Sequence, residues 1–267
     1  MEIKFDLKDD FTEEELWDFN DGRGLVPAHQ HPKGNGWVEN TAHVDDTCFV
    51  GPTAQVFGNA RVTGNVIIND FARVYGDALV FGNAMIYGDA QVCDNAQIFG
   101  HAKVNDRAKV YGNARVMDYA HLHEDCQVYE NAIVRNFVEI FDHAIVRGNG
   151  DVYDSIKLYR NVVVTKKPIV AIGFESDAVI TDHHICLGCV VIPPYYVNRV
   201  GKRVITLMGY GDDIAEKWIT ALNCIIDIYG CTDRQEDIDA TSDRQIVFDL
   251  ITERHARSDI DPKYQRN

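Results

Sequence analysis

The sequence predicts a mainly β chain: a single-stranded parallel β-helix of triangular section, with an N-terminal cap and a small C-terminal α+β module. Three observations carry this reading. A six-residue period runs from 42 to 161 without insertion, twenty units long. The third place of every unit is aliphatic, as at Val44, Val56, Val80, Ile98, Val116, Val152 and Leu158. The first place is mostly small, as at Ala54, Ala60, Ala72, Ala96 and Ala114, with Cys48 and Cys126 as variants. A fixed short period marks a solenoid, and a period of six marks a parallel β-helix.

Side chains alternate faces along a strand, so places one and three of a unit point inward together. A methyl group at one and a branched aliphatic at the other fill a narrow dry column. Places five and six are often Gly-Asn or Gly-Asp, as at Gly58, Asn59 and Gly76, Asp77. These residues tolerate positive φ and turn the chain. Each unit is then a strand and a corner, three units make one coil, and the repeat holds roughly six to seven coils. The chain divides into a cap (1–41), the repeat (42–165) and the C-terminal module (166–267).

The aliphatic residue followed by Asn three places on and Ala four places on, as in Val110, Asn113 and Ala114, resembles the hexapeptide-repeat superfamily. The place after the aliphatic holds an aromatic here, at Phe57, Tyr75, Phe99 and Tyr111, where the familiar pattern has Gly. That form looks more like the YdcK-like group of bacterial and phage hexapeptide-repeat proteins. Gly34, Asn35, Gly36, Trp37, Val38 and Glu39 match the lead-in that such chains place before the solenoid. The resemblance implies a left-handed coil, against the ordinary right-handed crossover rule. It also implies a possible acyltransferase activity with acetyl-CoA or another acyl-CoA as cofactor, although fold alone assigns no reaction.

Taken in order, Ile3, Phe5 and Leu7 alternate as a short strand. Thr12 and Glu15 form a capping box that predicts a short helix through Leu16, Trp17 and Phe19. Residues 22–36 read as loop from their Gly, Pro and His. His29 and His31 lie in it, and with no Cys nearby the plainer reading is loop histidines, not metal ligands. The segment as a whole covers the edge strands of the first coil.

Outward residues 18 apart stack. One stack runs through Phe81, Phe99 and Met117, another through Phe57, Tyr75, Cys93, Tyr111 and Tyr129. These make either an exposed stripe that binds a partner or a second copy, or aromatic staples between coils. An acyltransferase needs a general base, and the candidates are His101, His121, His123 and His143. Glu124 and Asp125, at the corner after His123, are the carboxylates expected to orient a base. The uninterrupted repeat argues the other way, because no loop leaves it to shape an acceptor site.

Beyond 161 the pattern changes to strands over 169–174, 178–181, 184–192 and 203–208. Cys186 and Cys189 follow His183 and His184 at a zinc-like spacing, yet 185–192 also reads as one buried strand. A helix starts at Asp212 or Asp213 and runs to Gly230, and a second starts at Ser242 or Asp243.

The formal net charge is −15, which excludes free nucleic acid and anionic membranes as partners and favours a protein partner with a basic surface. Seven scattered cysteines make no disulfide framework. With no membrane-length apolar run and an acidic start, the expected location is the bacterial cytoplasm or an infected host cell. The principal expectation is a non-enzymatic scaffold without cofactor that forms a homo-oligomer. The alternatives are the acyltransferase and an acidic inhibitor that mimics nucleic acid.

Overall fold

In the computed structural model, residues 15–171, 178–187, 190–192, 194, 197–207 and 211–229 are described. The repeat forms a parallel β-solenoid of about seven turns whose three flanks are three sheets. Strands recur every six residues and pair every 18. On the second flank Leu79–Gly82 lies between Arg61–Gly64 and Gln97–Ile98, with Val80 opposite both Val62 and Ile98. Even places donate their N–H to odd-place carbonyls one coil on: Gln55 to Ala72 (3.0 Å), Phe57 to Val74 (3.0 Å) and Asn59 to Gly76 (2.8 Å). The inward residues of the repeat form one buried column from Val38 to Val164, with Ala42 and Val44 of the first unit partly buried against it. Parallel pairing begins ahead of the repeat read in the sequence, at Trp37–Glu39, and ends at Val163–Val164, inside its boundary at 165.

The corners explain the residues at place five. Gly58 (φ 72°), Asp70 (φ 55°), Asp106 (φ 54°) and Glu124 (φ 57°) all sit in the left-handed region. Their N–H groups fall outside the strand ladder, and from Asp70 to Asp142 an acidic place five accepts the N–H one coil later; in the first coil Asp45, at place four, does this for Gly64 N. Asp94 takes Gly112 N (2.9 Å), Asp106 takes Glu124 N (3.0 Å), Glu124 takes Asp142 N (2.8 Å) and Glu130 takes Gly148 N (2.7 Å). Charge-assisted bonds of this kind staple successive coils. These carboxylates remain exposed and charged, so part of the surface acidity also serves the fold.

The N-terminal end is closed by strands, not by the expected helix and loop. Leu16–Asp18 pairs antiparallel with Leu25–Gln30, which pairs antiparallel with Trp37–Glu39. The Thr12 capping residue lies outside the described residues. What decides the strand is packing: Trp17 stacks on Trp37 at 4.1 Å and Phe19 on Phe57 at 4.9 Å. Gly34 and Gly36 admit the first coil, since a Cβ at either would stand 2.2 Å from Val50 O or 2.3 Å from Gly51 O.

Arg23 holds this cap to the coil. Its guanidinium donates to both oxygens of the buried Glu39 at 2.7 Å, and Glu39 also accepts Gly58 N at 2.7 Å. Arg23 first, then Gly58, holds the Glu39 carboxyl below its ordinary value of 4.5 despite burial. A depressed carboxyl contributes stability above 4.5 that is lost as pH falls through the folded value. Acidification below pH 4.5 is therefore expected to loosen the cap, read as loss of the exciton circular dichroism of the Trp17–Trp37 stack. Glu39→Gln is expected to weaken that signal already at neutral pH.

At the other end, Ile169–Ala171, Ala178–Ile180, Ile185–Leu187 and Val190–Ile192 form an antiparallel meander. Val179 and Cys186 join the apolar cluster of the solenoid, so the meander closes the last coil. The single strand expected over 184–192 is two strands of a hairpin. Residues 203–207 do not make a strand: Lys202–Leu207 is a helix whose Ile205 packs with Ala215 and Trp218 of the helix Asp212–Tyr229. Local β-branched content lost to the contact made with the next helix. The strand over 3–7 and the helix after Ser242 lie outside the described residues.

Candidate functional site

The repeat aligns place two of one coil with place two of the next, and it sets place four diagonally against place two one coil later. This 16-residue diagonal recurs outside the column. Tyr111 Oη donates to Gln127 Oε1 at 3.2 Å, and Arg135 grips Asp151 at 3.1 and 2.9 Å. On the third flank the same rule assembles a polar cluster. Asn105 Oδ1 lies 2.7 Å from His121 Nε2, and His123 Nε2 lies 3.4 Å from Glu139 Oε1. His121 and Glu139 face each other in register, and the His121 and His123 rings are 4.6 Å apart.

The electrostatics follow from this placement. Burial, with the His123 ring beside it, lowers the His121 pKa, so the ring is neutral at neutral pH. His123, and after it Lys157, holds the Glu139 carboxyl at about 2. Lys157 sits on the other oxygen, Oε2, at 2.5 Å. Glu139 was missed in the sequence because its distance from His123 along the chain shows only once the coil length is fixed. The 16-residue diagonal is the signal that finds it.

The expected orienting carboxylates are occupied elsewhere. Glu124, turned by its positive φ toward the next coil, accepts Asp142 N. Asp125 is gripped by Arg107 at 2.6 Å through both oxygens and reaches His143 Nδ1 only at 3.8 Å. His101 stacks on Tyr119 at 4.9 Å, which in turn stacks on Phe137 at 5.1 Å. The four candidate bases thus do not converge: His121 and His123 stand together, while His101 and His143 occupy separate corners.

The aromatic stacks run as expected, with Phe57–Tyr75 at 4.8 Å, Phe81–Phe99 at 4.7 Å and Tyr111–Tyr129 at 4.7 Å. Phe57 is nonetheless not surface, because Phe19 covers it and leaves it 3% exposed. Met117 continues the Phe81–Phe99 line and is partly exposed. The sequence reading missed the neighbouring corner line of His101, Tyr119 and Phe137. Tyr119 is 54% and Phe137 63% exposed, so these exposed aromatics line the edge that joins the second flank to the third, while the equally exposed Phe71 sits at the corner between the third and the first.

The zinc-like grouping does not form among the described residues. Cys186 faces the solenoid core, where burial pushes its thiol up to about 12. His184 is buried and His183 partly so. The three do not converge as a ligand set among the described residues, and Cys189 lies outside them. Burial also raises Cys126 to about 12, which suits a packing thiol and not a reactive one.

Among the described residues no helix is long and apolar enough to cross a membrane. No curated protein and no solved structure matched the chain. The YdcK beta solenoid repeat family model matches residues 54–70, 72–88 and 108–124, each nearly one coil of the column. The matches and the coil geometry together support a solenoid repeat protein, similar over those stretches to the YdcK beta solenoid repeat.

Proposed function

We propose that the chain is a rigid, non-enzymatic scaffold that binds protein along one edge, first of all a second copy of itself. The supporting observation is the pairing of an unbroken coil, from Trp37–Glu39 to Val163–Val164, with a line of exposed aromatics along the edge between the second and third flanks, Phe49 and Phe71 lying apart from it. Phe81, Tyr119 and Phe137 are large and exposed there, and exposed apolar patches of this kind mark interaction surfaces. Both ends of the coil carry antiparallel strands, which disfavours growth end to end and leaves the flank for association. In this reading the coil winds left-handed, as hexapeptide-repeat solenoids do, and works in a bacterial or phage-infected cytoplasm. A basic partner fits the remaining acidic surface. The coil-to-coil use of the corner carboxylates favours this over mimicry of nucleic acid.

A second reading, an acyl-CoA-dependent acyltransferase with His123 as base, draws on the His123–Glu139 pair. Two measurements separate the readings. Sedimentation equilibrium is expected to give an oligomer for the natural chain and a monomer for Phe81→Ser/Tyr119→Ser with little change in melting. A monomeric natural chain would count against the scaffold. Saturable thermal stabilisation by acetyl-CoA, lost in His123→Ala, would favour the enzyme.

A further inference from the structure

We infer that His121, His123 and Glu139 form a binding site for a first-row divalent cation of the zinc type, which ties two neighbouring coils together. One ring nitrogen of each histidine and one Glu139 oxygen lie within 4.8 Å of one another, and all three residues are partly buried. Two imidazoles and a carboxylate suit zinc and its neighbours, whereas calcium and magnesium prefer all-oxygen sets.

The backbone frame is what makes the set more than a chance grouping. His121 and Glu139 are direct neighbours in register on adjacent parallel strands, and the inward residues of three successive strands here, Val104, Leu122 and Ile140, are fully buried. His123 lies two residues from His121 and stacks on Phe141 at 5.1 Å, which fixes its ring plane. The donors thus differ in position only by side-chain rotation over a rigid wall. Drawing them onto one ion with bonds of about 2.0–2.2 Å asks for closure by rotamer adjustment and leaves the strands in place.

His121 and Glu139 each have an outer partner of the kind that metal sites use. Asn105 is buried, and its Nδ2 donates to Asp106 Oδ2 at 3.0 Å. Its Oδ1 therefore accepts the His121 Nε2–H, which leaves Nδ1 as the basic nitrogen of that ring. Lys157 occupies Glu139 Oε2 and leaves Oε1 on the side of His123. The His123 Nε2 atom is buried, and its near partner Glu139 Oε1 stands at 3.4 Å without good hydrogen-bond geometry. A buried nitrogen so loosely satisfied is costly, and a cation between it and Oε1 would remove that cost. Water would fill the remaining coordination positions.

The test is calorimetric titration of the full chain with zinc chloride, with cobalt(II) absorption as a second readout of ligand geometry. One ion per chain is expected, with a visible cobalt spectrum of low coordination number. His123→Ala and Glu139→Gln are each expected to weaken binding at least about tenfold, in the range typical for loss of a ligand or its support. His143→Ala serves as the surface-histidine control and is expected to change nothing. Lys157→Met removes a cation next to the site and is expected to tighten binding, which keeps the inference testable if a ligand variant fails to fold. Absence of saturable binding to the natural chain, or binding that persists unweakened in His123→Ala, would overturn it.

Discussion

Deletion of residues 78–95 is expected to leave a folded, cooperatively melting protein one coil shorter. Eighteen residues are one full turn, so Asp77 would be followed by Ala96 and every later residue would keep its place in the unit. On the second flank Val62 would then lie beneath Ile98, where Val80 now stands between them. On the first flank Val74 would meet Val110 in place of Val92. The rod would shorten by about one strand spacing, ~4.8 Å. Deletion of residues 78–86 removes an odd number and reverses the inward and outward sets beyond the cut. Residues such as Ala96 and Ile98 would turn to solvent, and Gln97 and Lys103 inward. That variant is expected to be unfolded or aggregated by circular dichroism and scattering. Equal stability of the two deletions would contradict the coil.

Ile98→Ala is expected to destabilise the chain by about 2–5 kcal/mol, the usual range for emptying a close-packed site. Ile98 is fully buried between Val80 and Val116, and a column one side chain wide has little means of collapsing around a void. Phe99, one residue on, points outward and stacks on Phe81. Its replacement by Ala removes a larger side chain but is expected to cost only about 0.5–1.5 kcal/mol beyond the area it covers. Chemical denaturation of both variants gives the comparison. A larger loss at Phe99 than at Ile98 would mean that the exterior ladder, and not the column, holds the coils together.

The difference between these residues also marks what was legible in the sequence. Places one and three state their fate directly, because burial admits only small or aliphatic side chains there. Ala54, Val56 and their counterparts therefore predicted the column, its period and its register. Phe81, Phe99, Tyr111 and Tyr129 were placed in their stacks by counting 18. The misread segments are those without a repeat to anchor them. Leu16–Asp18 has a helix-like local sequence, and its strand state comes from Trp37 and Phe57, which lie far along the chain. Residues 203–207 carry β-branched side chains, yet the helix is set by packing of Ile205 on Ala215 and Trp218.

The candidate site was half legible for a related reason. His121 and His123 stand out as an alternating pair on one strand. Glu124 and Asp125 are the nearest acids in sequence, but the corner turns them away, one to a backbone N–H and the other to Arg107. Glu139 becomes a neighbour only through the coil, as Asn105 does on the other side. The corner carboxylates hide in the same way. Asp94, Asp106 and Glu130 look like nothing more than solvent-facing charge in the sequence; they are exposed, and each also holds an N–H 18 residues on.

Methyl–methyl nuclear Overhauser effects in a chain labelled at Ile, Leu and Val test the column most directly. Contacts of Ile98 with Val80 and Val116 are expected as strong cross-peaks along one flank, repeated for Val92 with Val74 and Val110. A pattern in which Val80, Ile98 and Val116 share no contacts would contradict the stacked interior, and the edge and site built on its outer face would fall with it.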